Sequence, residues 1–281
     1  MDTANLLFAG LVALVVCVVF LIAFKGADLL DGATPGNTPV ASSNTADALH
    51  QAFSDEASRA YFAALSVADP RSYSELERRI ARQSGAPTDD LRMSVIEHSE
   101  SFFRRNAGVL ARADVRHVDA MILNARAGLR QAIRANSRFC RGSTYAALSE
   151  MSEQEVRRML EGVIDYGWNI GFQTLLAEAV MDAKQNPVDH GEMTRRDETA
   201  LQGVMMSLMA DPQIMPLIMS SNGNASPEEI LARLDICELG DSVLVAVKTL
   251  PQETKARAWA MMMKEGGRSN PFSSVQGFPG F

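Results

Sequence analysis

The sequence predicts an all-α protein with an N-terminal transmembrane helix, a flexible linker and a multi-helix, bundle-like soluble domain. Three observations lead there. Residues 6–24, LLFAGLVALVVCVVFLIAF, run for nineteen positions without a charge or a proline. Aromatic residues make up only 6% of a chain that is 47% hydrophobic and holds 15 Met, a balance that favours helix over the β-branched and aromatic content of strands. The remainder is a succession of amphipathic segments punctuated by capping residues and prolines.

At about 1.5 Å of rise per residue the apolar run covers roughly 28 Å, the thickness of a bilayer's hydrocarbon, and a helix satisfies its own backbone polar groups there. A cleaved signal peptide would begin with basic residues and end on small ones. The five residues before Leu6 hold no Lys or Arg, and Lys25-Gly26-Ala27-Asp28 follows the run. Cys17 sits behind Val15 and Val16 inside the run and reads as a packing residue. For orientation, Lys25 favours a cytoplasmic body, whereas Cys140 and Cys237, the two cysteines outside the run, favour an oxidising compartment. The expectation is a single-pass protein of the inner or plasma membrane, with its body in the periplasm or another extracytoplasmic space.

Residues 26–44 are rich in Gly, Pro, Ser, Thr and Asn and form the expected linker. Residues 45–265 form the helical domain, with a division into two subdomains near 140–150 as an open alternative. Leu49, Phe53, Ala57, Ala60 and Ala64 predict a helix over 45–67 that ends at Asp69-Pro70. Ser72 and Glu75 form a capping box for a shorter helix closed near Gly85, and Thr88 is the N-cap expected for a helix to about Arg112. Val115, Val118, Ile122, Leu129 and Ile133 form the apolar stripe of the next, to about Ser137. A short helix at 145–148 and a long one from Ser152 to Asn186-Pro187 follow, then one from Thr194 to Met209. Ser226-Pro227-Glu228-Glu229 opens a helix expected to run to Cys237. Residues 240–250 read as helix despite their VLVAV core, because a lone strand would have no partner. Pro251 to Glu265 is the last helix, and 266–281 is an expected disordered tail.

Function is less legible. A net charge of −7 argues against a nucleic-acid binder. Between Arg92 and Arg141 ten arginines face four acidic residues, and Arg126, Arg130, Arg134 and Arg138 recur every fourth position as a basic ridge. The ridge would suit anionic lipid headgroups, a cell-wall polymer or an acidic partner; equally, it would suit the acidic stretch 149–200, which holds eleven acidic residues against five basic ones. Cys140 and Cys237, if paired, close a 97-residue separation and add about 4 to 5 kcal/mol by the chain-entropy account. Asp114 and His117 share a helix face, and Asp189, His190 and Glu192 gather in a loop, but a two-metal bundle needs a second carboxylate-x-x-His pair. No metal or other cofactor is expected.

Glu100-Ser101-Phe102 resembles the acid-bearing Glu-Ser-x-Phe signature of lytic transglycosylases, which implies Glu100 as a general acid acting on cell-wall glycan. The Gly-Leu-Met-Gln element of that family is missing, and Arg104 and Arg105 follow instead. The leading expectation is therefore a membrane-anchored binding, scaffolding or assembly component with a protein partner in the cell envelope. Its alternatives are an envelope hydrolase or lytic enzyme and a cytoplasm-facing adaptor.

Overall fold

The structure, a computed structural model, describes residues 48–144, 166–210, 229 and 232–266. The apolar run, the linker, the helix at 145–148, the starts at Ser152 and Ser226, and the tail beyond Gly266 lie outside them. Among the described residues the regular structure is helical: α1 (Ala48–Ala52), α2 (Glu56–Ala68), α3 (Pro70–Arg82), α4 (Thr88–Leu110), α5 (Val115–Arg134), a 3-10 turn (Arg138–Cys140), α6 (Tyr166–Gln185), α7 (Arg195–Met209), α8 (Ile236–Lys248) and α9 (Gln252–Gly266). None of these is long and apolar enough to cross a membrane. The VLVAV segment is helical, as expected, within α8.

Side-chain caps decide several boundaries, and they correct four expectations. The helix predicted over 45–67 is two helices, because Asp55 accepts hydrogen bonds from the amide and hydroxyl of Ser58 and starts α2 afresh. Asp69 does the same at α3, accepting from Ser72 with Pro70 in the first turn, so Ser72 is a donor to the cap and not the cap. Thr88 is the first helical residue of α4; extended Pro87 precedes it and offers no side-chain cap, while Asp89 and Asp90 place negative charge at the helix's positive end. Cys237 belongs to the first turn of α8, whose cap is Asp235, accepting from the amides of Cys237 and Glu238. Helix α7 starts one residue after the expected Thr194, which is its N-cap in a reciprocal capping box with Asp197.

Helix α6 is the centre around which α2, α4 and α5 pack. Its Ile170, Leu176, Ala177, Ala179 and Val180 are fully buried, and the alanines let neighbouring helices approach closely. Helix ends are satisfied across the core. Lys184 Nζ donates to the Ala68 carbonyl at the end of α2, and Trp259 Nε1 donates to the Leu110 carbonyl at the end of α4.

Among the described glycines, Gly128 in the α5–α6 contact has the least room for a side chain. Trp168 Nε1 donates to the Asn124 carbonyl at 2.7 Å and the indole packs against Gly128, where a Cβ would overlap the ring. Gly128→Ala should therefore destabilise the protein by about 1 to 3 kcal/mol, since a hydrogen-bonded indole cannot step aside as a flexible chain would. A denaturation midpoint equal to that of the wild type would show that the indole moves freely.

Candidate functional site

The described residues offer four places where chemistry could gather. The first is the junction of Cys140 and Cys237, whose sulfurs are bonded at 2.11 Å with their Cα atoms 4.9 Å apart. The bond ties the 3-10 turn after α5 to the first turn of α8, and both residues are buried. Beside it Gly142 donates to the Leu234 carbonyl at 2.8 Å, and Arg141 and Asp235 form an isolated antiparallel bridge. The Asp235 carboxylate lies near both sulfurs, and this is the one trio of metal-ligating side chains to converge among the described residues. Sulfurs bonded to each other offer no thiolate, and Asp235 is spent on the cap, so the junction is a staple.

The second is the basic ridge. Arg126 and Arg130 both donate to the carboxylate of Asp241 on α8, at 2.7 and 3.1 Å. Burial works to raise the Asp241 carboxyl, yet the two guanidiniums hold it below its ordinary value. This half of the ridge is an interhelix clamp. Of the acidic stretch 149–200, residues 149–165 lie outside the described residues; Asp182 meets Arg116 and His117 near the start of α5. Hydrogen bonds from Asn186, His117 and Arg116 hold the Asp182 carboxyl down.

The ridge also ends earlier than the sequence spacing implies. Asn136 has φ 47, the amide of Asn136 donates to the Ile133 carbonyl, and that of Ser137 donates to the Ala132 carbonyl. These paired bonds around a left-handed residue terminate α5 as a Schellman motif and throw Arg138 off the helix into the 3-10 turn. Arg134, Arg138 and Arg141 are exposed, and among the described residues none of them makes an ion pair.

The third place is a cleft of about 560 Å³ between α7 and α8, lined by Ala200, Gly203 and Ser207 on one side and Asp241, Val245 and Thr249 on the other. Asp241 is its sole titratable lining residue and is already held by two arginines. Methyls and hydroxyls make up the rest, a lining suited to shape recognition and not to proton transfer.

The fourth is a set of buried polar residues that sequence reasoning missed. Asp197, 1% exposed, accepts from Thr194, from Thr254 at 2.7 Å and from Arg257 at 2.8 Å, fastening α7 to α9. Burial works to raise its carboxyl, but these donors hold it far below the usual carboxylate range. Lys255 on α9 is likewise buried, and its ammonium meets Asp119 of α5. His98 on α4 is buried with its Nε2 lacking a partner. Burial, with Arg105 and Arg79 nearby, pushes it down to about 4 against the opposing pull of Glu75 and a backbone hydrogen bond at Ser72.

His98 makes stability fall with acid. Its folded value lies below the unfolded value near 6.5, so its share is intact above pH 6.5 and is lost as pH falls to about 4. The loss should reach roughly 3 kcal/mol across that window. Urea titrations at several pH values should show a slope that shrinks in His98→Gln, and identical slopes in the two proteins would remove His98 from the account.

The remaining candidates are dispersed. Glu100 is buried on α4 and ion-paired with Arg104 one turn on, and it does not line the α7–α8 cleft. Asp114 caps α5 through the Arg116 amide while His117 turns to Asp182 at 3.0 Å, so the pair does not converge. In the loop, His190 Nε2 lies 2.8 Å from the Ala113 carbonyl and Asp189 accepts from Gly191. The signal that could have exposed Asp197 was present: Thr194-x-x-Asp197 is a capping box. Its partners on α9 lie about 60 residues away and leave no local trace. No family model, no curated protein and no solved structure matches the chain.

Proposed function

We propose that the protein is a single-pass, membrane-tethered helical component of the cell envelope, with its body in an extracytoplasmic space, where it binds or organises a partner. The observation that carries this reading is the buried Cys140–Cys237 disulfide, since such bonds persist in oxidising compartments and are rare where thiols are kept reduced. The apolar run at residues 6–24 supplies the tether, and the linker at 26–44 lets the body stand off the bilayer.

Binding is favoured over catalysis by the way the acids are used. Glu100, the acid that the transglycosylase resemblance nominates, is bound to Arg104, and among the described residues Asp197 and Asp241 serve as clamps between helices. A reporter fused after Phe281 should be active in its extracytoplasmic form and silent in its cytoplasmic one; the reverse would make the chain a cytoplasm-facing adaptor. Crosslinking in intact cells should retain an envelope protein. Release of fragments from purified cell-wall glycan by the wild type but not by Glu100→Gln would replace the binding reading with a lytic one.

A further inference from the structure

Two termini of this bundle meet at one end. His117, near the start of α5, lies 3.0 Å from Asp182 near the end of α6, whereas Gly128, further along α5, lies beneath Trp168 near the beginning of α6. The helices are therefore antiparallel, and α5 finishes at the end of the bundle where α6 begins. Arg134 lies six residues beyond Gly128, about 9 Å further towards that end. Tyr166 there stacks on Phe53 at 6.2 Å between ring centres and shares a 3.1 Å hydrogen bond with Ser58. Phe53 and Ser58 belong to the beginning of the described chain, which therefore lies at the same end.

Arginines gather towards that end, across the disulfide from Asp235 and Glu238 of the α8 start. From Ala120 to Ser149 the sequence contains no Asp or Glu but five arginines. Asp241 answers Arg126 and Arg130, and Arg134, Arg138 and Arg141 project without an ion pair among the described residues. The negative end of the α5 dipole accounts for Arg134 but not for Arg138 and Arg141, which lie past the helix. A flexible linker of 26–44 would hold the body at a root-mean-square distance of roughly 25 Å from the bilayer. On the tethered reading, these arginines lie at the end of the body where the described chain begins.

We infer that Arg134, Arg138 and Arg141 form a docking surface for anionic phospholipid headgroups, which seats the body on the membrane that anchors it. The inference rests on the tethered reading. Guanidinium forks suit phosphate oxygens, and several cations near an anionic surface reinforce one another while remaining sensitive to salt.

The test places the full chain in nanodiscs of phosphatidylcholine alone or with one quarter phosphatidylglycerol and measures hydrogen exchange over residues 134–144. Exchange should slow several-fold in the anionic discs. The slowing should disappear in high salt and in the triple variant Arg134→Gln, Arg138→Gln, Arg141→Gln, and it should survive the corresponding triple change to lysine. Equal exchange in both discs, or slowing that persists in the glutamine variant, overturns the docking while leaving the tether standing. Protection by soluble polyglutamate but not by anionic discs also overturns it and reassigns the surface to an acidic polypeptide. Failure of the chain to enter either disc overturns the tethered reading, and this inference with it.

Discussion

Replacing Cys140 and Cys237 together by serine should lower the free energy of unfolding by about 4 to 5 kcal/mol, the largest single effect expected in this protein. The two residues are 97 apart in sequence, so the bond removes a long loop's freedom from the unfolded chain. It also fixes α8 against the end of α5, where the covalent bond is reinforced by the Gly142 to Leu234 hydrogen bond and the Asp241 clamp. Urea denaturation in mild detergent, with and without reductant, measures the effect. Reduced wild type and the double serine variant should unfold together and well before the oxidised protein. Coincident transitions for all three would show that the staple holds nothing.

Asp197→Ala should cost about 3 to 5 kcal/mol, because it removes the acceptor on which Thr254 and Arg257 converge in a buried place. The loss should appear as detachment of α7 from α9 before the core around α6 unfolds. Asp197→Ala combined with Arg257→Ala should be little worse than Asp197→Ala alone, since the guanidinium then keeps only its 3.1 Å pair with exposed Glu253. Strict additivity of the two changes would mean that the ion pair is incidental to stability.

The parts of this fold that sequence reveals are local ones. Thr194, Pro187 and Pro251 mark boundaries through backbone rules that act within a few residues, and α7 begins within one residue of where those rules place it. Asp55 was hidden because Leu49, Phe53, Ala57 and Ala60 keep helical spacing across the break, while the cap interrupts the backbone and not the apolar stripe. Asn136 hid the end of the basic ridge in the same way: four-residue spacing continues to Arg138 although the helix has stopped. Cysteine count suggested the disulfide, and only the fold brings the sulfurs together. The ion pairs Arg126 to Asp241 and Lys255 to Asp119 join residues more than 100 positions apart, and no periodicity encodes such partners. The exposed arginines at and beyond the end of α5 were half visible, as a run whose fate depended on where Asp241 and the Schellman turn lie.

The tether is the claim on which the functional reading stands, and an alkaline carbonate wash of isolated membranes tests it most directly. Full-length chain should remain in the membrane pellet, and a version lacking residues 1–25 should appear in the supernatant. Full-length chain released by carbonate into the supernatant would contradict the account.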